Sequence, residues 1–188
     1  MDNADNRKWT VDVIIPTYRP GREFGELIRR IEEQEYRPDR ILVMNTGEQY
    51  WNREWECCPI LEVYHLDQKD FDHGGTRRRA AKLSDADIMI FMTQDALPAD
   101  RKLVGNLVHA VSSDPQTGAA YARQLPKADC RFLERYTRSF NYPDQSSVKS
   151  LKDVDKYGIK TYFCSNVCAA YDREIYERIG GFVSRASF

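Results

Sequence analysis

The sequence predicts a single α/β domain, a mainly parallel sheet with helices on both faces. Two observations carry this. Short apolar runs alternate along the chain with segments of helical period. Several of the runs are apolar without a break, as strands covered on both faces are. The 188 residues suit one domain with a full core, with residues 1–10 as a flexible N-terminal tail and 11–188 as the domain. No internal repeat or low-complexity segment interrupts the order.

Val11 to Ile15 (VDVII) is the first expected strand, ended by Pro16. REFGELIRRIEEQ follows as a helix, because Phe24, Leu27, Ile28 and Ile31 fall at i, i+3, i+4 and i+7 on one face. Arg40 to Met44 and Leu61 to Leu66 are the next two strands. A short helix over TRRRAAKLS takes Thr76 as N-cap after Gly74-Gly75. DIMIFM is the fourth strand, and Pro98 opens a helix whose apolar face is Leu103, Leu107, Val108 and Val111. Gly118 to Gln124 is the fifth strand. The stretch from Pro126 to Lys160 is polar, with no clean period, and connections this long are usually functional or mobile. Thr161 to Tyr171 resumes as a strand. A last helix over DREIYERIGG takes Asp172 as N-cap and Gly180 as C-cap.

Composition narrows the function. Hydrophobic residues make up 41% and charged residues 30%, with a formal net charge of −1. No segment is basic enough for a nucleic-acid footprint, so no nucleic-acid partner is expected. No apolar stretch approaches the ~20 residues of a membrane span, and Met1 to Lys8 lacks the pattern of a signal peptide. The five cysteines are odd in number and do not follow a zinc spacing. Cys164 and Cys168 lie in apolar sequence and read as buried thiols. Reduced cysteines fit a cytoplasmic protein, peripheral at most at the inner face of the membrane.

In a parallel sheet the strand ends lie on one edge, where open α/β sheets bind ligands. After the first strand come Pro16, Thr17, Tyr18 and Arg19, and after the second Asn45, Thr46 and Gly47. Asp72, His73, Gly74, Gly75 and Arg77 follow the third, and Thr93, Gln94 and Asp95 the fourth. Each piece suits a nucleoside diphosphate. Tyr18 can pack on a base, and Asn45 and Thr46 can bond base edges or ribose. Gly74-Gly75 lets main-chain amides approach a diphosphate at a helix N-terminus. Arg77 can grip phosphate oxygens, and Asp95 can hold a hard divalent cation. Each piece alone also has a plain structural explanation: a surface tyrosine, an ordinary Asn-Thr-Gly turn, a tight glycine turn, and an Asp in a turn. His73 has no second histidine nearby in the sequence to make a metal pair. Their combination on one edge is what points to a site. The dinucleotide fingerprint, the P-loop and the nucleophile elbow are all missing.

VDVIIPTYRP, ILVMNTGE, FDHGGTRRRAA, DIMIFMTQDALPAD and IGGF occur in order from Val11 to Phe182. Together they resemble the family 2 glycosyltransferases of GT-A, Rossmann-like fold. The HGGTR and TQDA segments are similar to the bacterial rhamnosyltransferase-like branch. The resemblance implies a metal-dependent, inverting hexosyltransferase that uses Mg²⁺ or Mn²⁺. It would move a (deoxy)hexose such as rhamnose from a nucleotide-diphosphate sugar, dTDP-rhamnose or similar, to a cell-surface glycan or lipid-linked glycan acceptor.

The same resemblance implies roles for the donor residues. Pro16, Thr17, Tyr18 and Arg19 match the nucleoside loop. Asn45 and Thr46 stand where an acidic residue often meets the base. His73, Gly74 and Arg77 match the diphosphate segment. Thr93, Gln94 and Asp95 match the metal motif, usually Asp-x-Asp, with Asp95 as its single carboxylate. Arg78 replaces an Asn common after the arginine. The general base of the family is an Asp or Glu a few residues beyond GGF, and none stands between Val183 and Phe188. The expectation is a chain cut before its base, with no catalytic residue of its own. Two alternatives stay open: a non-catalytic nucleotide-sugar-binding module with a degenerate transferase fold, and a sugar-phosphate nucleotidyltransferase. The second expects a glycine-rich basic loop after the first strand, unlike Pro16-Thr17-Tyr18-Arg19.

Overall fold

A computed structural model describes residues 9–126 and 130–183, apart from the side chain of residue 134. The expected tail up to residue 8, and residues 184–188 beyond the GGF segment, lie outside the described residues. Trp9 and Thr10 belong to the body: the Tyr36 hydroxyl donates to the Trp9 carbonyl, and Thr10 bonds Asp87.

The elements are β1 (Val11–Tyr18), α1 (Glu23–Glu32), β2 (Arg40–Thr46), β3 (Leu61–Leu66), α2 (His73–Ala81), β4 (Ile88–Met92), α3 (Leu103–Ser112), β5 (Ala119–Tyr121), α4 (Phe132–Asn141), α5 (Val154–Tyr157), β6 (Cys168–Asp172) and α6 (Arg173–Arg178). They build a six-stranded sheet in the order β3-β2-β1-β4-β6-β5. The first four strands are parallel, and β6 runs against both β4 and β5. The carboxyl ends of β1 to β5 and the start of β6 therefore share one edge.

Alternation along the strands fills two cores. Val11, Val13 and Ile15 face α1 and α3, whose Phe24, Leu27, Ile28, Ile31, Val104, Leu107, Val108 and Val111 are buried against them. Ile14, Leu42, Met44 and Phe91 face α2 and α6, with Ala80, Ala81 and Tyr176. The one acid inside this run, Asp12, is 1% exposed and pairs with Arg40 at 2.7 Å. It also accepts from the Ser84 hydroxyl at 2.7 Å.

Several boundaries differ from those the sequence predicts. Pro16 does not end β1. The ladder to β4 stops at Ile14–Phe91, so a proline beyond it removes no donor from that ladder, and pairing to β2 continues to Tyr18–Thr46. The N-cap of α2 is Asp72, not Thr76. Asp72 is extended and its side chain accepts from the Gly75 N–H, while Thr76 is buried inside the helix. A Cβ on Gly75 would lie 2.8 Å from the Asp72 carboxylate, so the glycine makes room for this cap. Helix α3 begins at Leu103 rather than at Pro98, because Gln34 of the loop after α1 accepts from the Val104 N–H and starts the helix there. Its buried face includes Val104, with Leu103 only partly covered.

The fifth strand shortens to Ala119–Tyr121, and of Thr161 to Tyr171 only the part from Cys168 pairs. The polar stretch before it contains α4 and α5. Asp172 does cap α6, accepting from the Ile175 N–H at 2.8 Å. Gly180 and Gly181 follow α6 with φ of +86° and +67°, and turn the chain so that the Phe182 ring meets Phe91 at 4.9 Å. All five cysteines are free thiols, Cys168 buried and Cys57 exposed.

Candidate active site

Tyr18 closes β1 at the shared edge and is 38% exposed. The next residue, Arg19, has φ +49°, and among the described residues it is the only non-glycine with positive φ. That turn brings the Arg19 guanidinium back over two rings, 4.6 Å from the centroid of Tyr50 and 5.1 Å from that of Tyr18. It also donates to the Tyr50 hydroxyl at 2.9 Å. The two tyrosines meet edge to face at 6.2 Å. They form one wall of a cleft of about 570 Å³, lined also by Gly47, His65, Asp67 and Arg79.

The floor of this region is polar and closed. Asn45 has no exposed surface. Its carbonyl oxygen accepts from the Thr17 hydroxyl at 3.0 Å, and its amide donates to the Gly47 carbonyl at 3.3 Å and meets the His65 Nδ1 at 3.0 Å. Thr17 and Thr46 are buried as well. These three residues support the cleft from beneath. The side chains that face it are Tyr18, Tyr50, Asp67 and Arg79, and only Tyr18 among them is visible from motifs. The others lie on turns and an aperiodic helix face, where sequence carries no signal of proximity.

Gln94 follows β4 and joins the two sides of the edge. Its Oε1 accepts from the Tyr18 N–H at 2.8 Å, and its Nε2 donates to the Tyr18 carbonyl at 3.1 Å. Beside it, the Asp95 carboxylate is exposed. Among the described residues no three His, Cys, Asp or Glu side chains gather as a metal cluster. One carboxylate suits a Mg²⁺ or Mn²⁺ ion completed by phosphate oxygens and water, not an ion held by protein alone.

On α2, His73 is exposed with its ring against Phe71 at 5.0 Å, and Gly74 is half-buried in the first turn. Arg77 is half-buried and donates to the His73 carbonyl at 2.9 Å. Burial pushes the Arg77 guanidinium below its ordinary pKa, a fall opposed by Tyr171. The Tyr171 hydroxyl donates to Asn166 at 2.6 Å and lies 3.6 Å from the Cys164 sulfur. Burial pushes both the Tyr171 hydroxyl and the Cys164 thiol up.

Among the described residues, three buried side-chain polar atoms lack any hydrogen-bond partner: Thr46 Oγ1, Arg77 Nε and Thr93 Oγ1. Such atoms are rare in folded proteins and each calls for a partner. Thr46 ends β2, Arg77 lies on α2 after β3, and Thr93 follows β4.

The sequence matches the family model described as glycosyl transferase family 2 over residues 12–180. It is 41% identical over 179 residues to the O-antigen chain rhamnosyltransferase RfbN of Salmonella typhimurium, covering 92% of this chain and 55% of the relative. Identity to the O-antigen chain rhamnosyltransferase WbaN of Salmonella anatum is 31% over 172 residues, covering 90% and 54%. The chain thus spans about half the length of these curated relatives. Among solved structures, the mannosyltransferase PcManGT of Pyrobaculum calidifontis, in complex with GDP-Man and Mn²⁺, superposes with a TM-score of 0.68 at 22% identity. That match covers 95% of this chain and 48% of the other. S. aureus TarS 1–349 with UDP-GlcNAc superposes with a TM-score of 0.62 at 14% identity, covering 92% and 48%. The expected architecture is the observed one, and the chain belongs to the family 2 glycosyltransferases, with the GT-A fold and the rhamnosyltransferase-like sequence of its relatives.

Proposed function

We propose that this domain holds a nucleotide-diphosphate sugar across the shared sheet edge, for transfer of a deoxyhexose such as rhamnose to a cell-surface glycan. The observation that carries this is the trio of unpartnered buried atoms, Thr46 Oγ1, Arg77 Nε and Thr93 Oγ1, gathered on the edge where the donor of such an enzyme would bind. The kinship with O-antigen chain rhamnosyltransferases supports dTDP-rhamnose as the donor and a glycan, free or lipid-linked, as the acceptor.

In this reading Tyr18 packs beside the base, within the loop of Pro16, Thr17 and Arg19. Asn45 and Thr46 shape the floor below it. Arg77, with His73 and Gly74 at the start of α2, meets the diphosphate, its buried Nε being a donor that no protein group uses. Asp95 would hold Mg²⁺ or Mn²⁺ against the diphosphate, with Thr93 and Gln94 shaping the turn. The bound ion would offset the charge of the departing nucleotide. No residue of this chain is assigned as the general base. The single carboxylate also favours a second reading, a domain that binds the nucleotide sugar without turnover.

Incubation of the protein with a panel of labelled nucleotide sugars and a glycan acceptor tests the proposal. Metal-dependent binding of dTDP-rhamnose by this domain is the expected result, with transfer once a general base is also supplied. Binding that never leads to transfer even then supports the second reading, and no binding of any nucleoside diphosphate overturns both.

A further inference from the structure

Helix α4 is turned with its apolar face outward. Phe132, Leu133, Tyr136 and Phe140 share one face of it and are 83%, 73%, 61% and 61% exposed. The attachment to the body is polar. Arg138 donates to Gln124 at 2.7 Å, and Tyr142, just past the helix, is buried with its hydroxyl bonded to Ser165 at 2.9 Å. A ten-residue amphipathic helix normally buries its apolar side. Among the described residues this face stays uncovered, with Tyr136 stacked on Phe140 at 6.5 Å.

The surroundings state what kind of surface would cover it. Residues 131–163 hold seven Lys or Arg against four Asp or Glu, in a chain whose net charge is −1. Arg131 and Arg135 flank the apolar face, and the Lys160 ammonium sits 3.6 Å from the centre of the Phe140 ring. Next to it, Val148, Leu151 and Ile159 are also exposed, at 85%, 74% and 88%. Apolar side chains rimmed by cations fit a bilayer surface bearing anionic lipids. A second copy fits poorly, since a two-fold contact would bring two patches that are each cation-rich together. A glycan could stack on the rings, but the aliphatic Leu133, Val148, Leu151 and Ile159 offer sugars neither stacking nor hydrogen bonds.

We infer that the outward face of α4 is a membrane-docking surface for anionic lipid. It lies on the segment between β5 and β6, so docking would hold the sheet edge with Tyr18 and Asp95 close to the bilayer. The inference does not depend on the sugar-transfer reading.

The test is flotation of the purified protein with phosphatidylcholine vesicles, with or without phosphatidylglycerol. The wild type should float with the anionic vesicles and release in high salt. The triple variant Phe132→Ser, Tyr136→Ser, Phe140→Ser should lose at least about tenfold in partitioning, from the apolar area removed. The double variant Arg131→Glu, Arg135→Glu should lose anionic preference. Because the replaced side chains are exposed, both variants should keep wild-type nucleoside-diphosphate binding. No flotation of the wild type, equal flotation of the triple variant, or a wild-type dimer that the triple variant splits would each overturn the inference. So would equal binding to neutral and anionic vesicles.

Discussion

The carboxamide of Gln94 pairs with both main-chain polar groups of Tyr18, taking the N–H at 2.8 Å and giving to the carbonyl at 3.1 Å. The backbone ladder between β1 and β4 ends at Ile14–Phe91, and a side chain resumes that pairing at Tyr18. This gives Gln94, the middle residue of the Thr93-Gln94-Asp95 segment, a structural task that an acid could not fill. A carboxylate can accept from the N–H but has nothing to give the carbonyl. Gln94→Glu should therefore loosen the Tyr18 loop, at about 1–2 kcal/mol for one lost bond and one repulsive contact. Calorimetry should register this as roughly tenfold weaker nucleoside-diphosphate binding. Unchanged affinity and melting temperature would remove Gln94 from this role.

Asp95→Asn should weaken Mn²⁺-dependent nucleotide binding by about tenfold and leave metal-free binding unchanged. The relevant measurement is calorimetry of the two proteins with and without Mn²⁺. Equal metal-dependent binding by both would show that the ion, if used, is held elsewhere.

Tyr18→Ala and Arg77→Ala should separate the two ends of the proposed donor. The tyrosine change should weaken nucleoside and nucleoside diphosphate alike. The arginine change should weaken only the phosphorylated ligand, and Arg77→Lys should not restore it, since an ammonium lacks the planar fork. The opposite pattern would mean the donor lies the other way round.

Cys168 gives a pH dependence with a definite sign. Burial pushes its thiol up from 9.0 to about 12. The folded state keeps the proton that the unfolded chain loses, so this stabilisation is complete below pH 9.0 and is lost as pH rises towards about 12. Tyr171, also raised by burial, adds to the same alkaline loss. Cys168→Ala should flatten the fall of melting temperature across that window, and at pH 8 thiol reagents should modify exposed Cys57 long before Cys168. An identical alkaline slope in the variant would contradict the assignment.

Asp12→Ala should destabilise the fold by about 2 kcal/mol, because Ser84 and Arg40 both lose their acceptor beside a buried strand. Chemical denaturation measures it directly. A change under about 0.5 kcal/mol, the usual range for surface sites, would mean that solvent compensates the pair.

The sheet was legible in the sequence because its inner strands are apolar on both faces, a pattern few other environments select. Helices α1 and α3 were legible because their buried faces repeat every three to four residues. Legibility failed where tertiary context replaced the local signal. Asp72 caps α2 through a carboxylate that only Gly75 leaves room for, so a glycine pair resembling a loop is a helical turn. Pro16 resembles a stop, but strand pairing on its other side carries β1 onward. Helix α4 stayed hidden because its apolar residues are exposed rather than packed into either core, so no buried stripe marks it among the described residues. Of the residues lining the cleft, Tyr18 could be picked out from motifs. The contributions of Tyr50, Asp67 and Arg79 depend on the segments after β2 and β3 converging with a face of α2, which no local spacing records.

The reversed direction of β6 has a consequence for the path of the chain. A strand entering at the ligand edge delivers whatever follows it to the far end of the sheet, one strand length from the chemistry. The two left-handed glycines after α6 undo that displacement. A Cβ at Gly181 would fall 2.7 Å from the Tyr176 ring, so this turn admits no larger residue without moving that ring. The turn sends Phe182 back along the α2 and α6 face to Phe91, one residue below the end of β4. The backbone thereby makes a return journey that ends with Phe182 against the strand leading to Asp95.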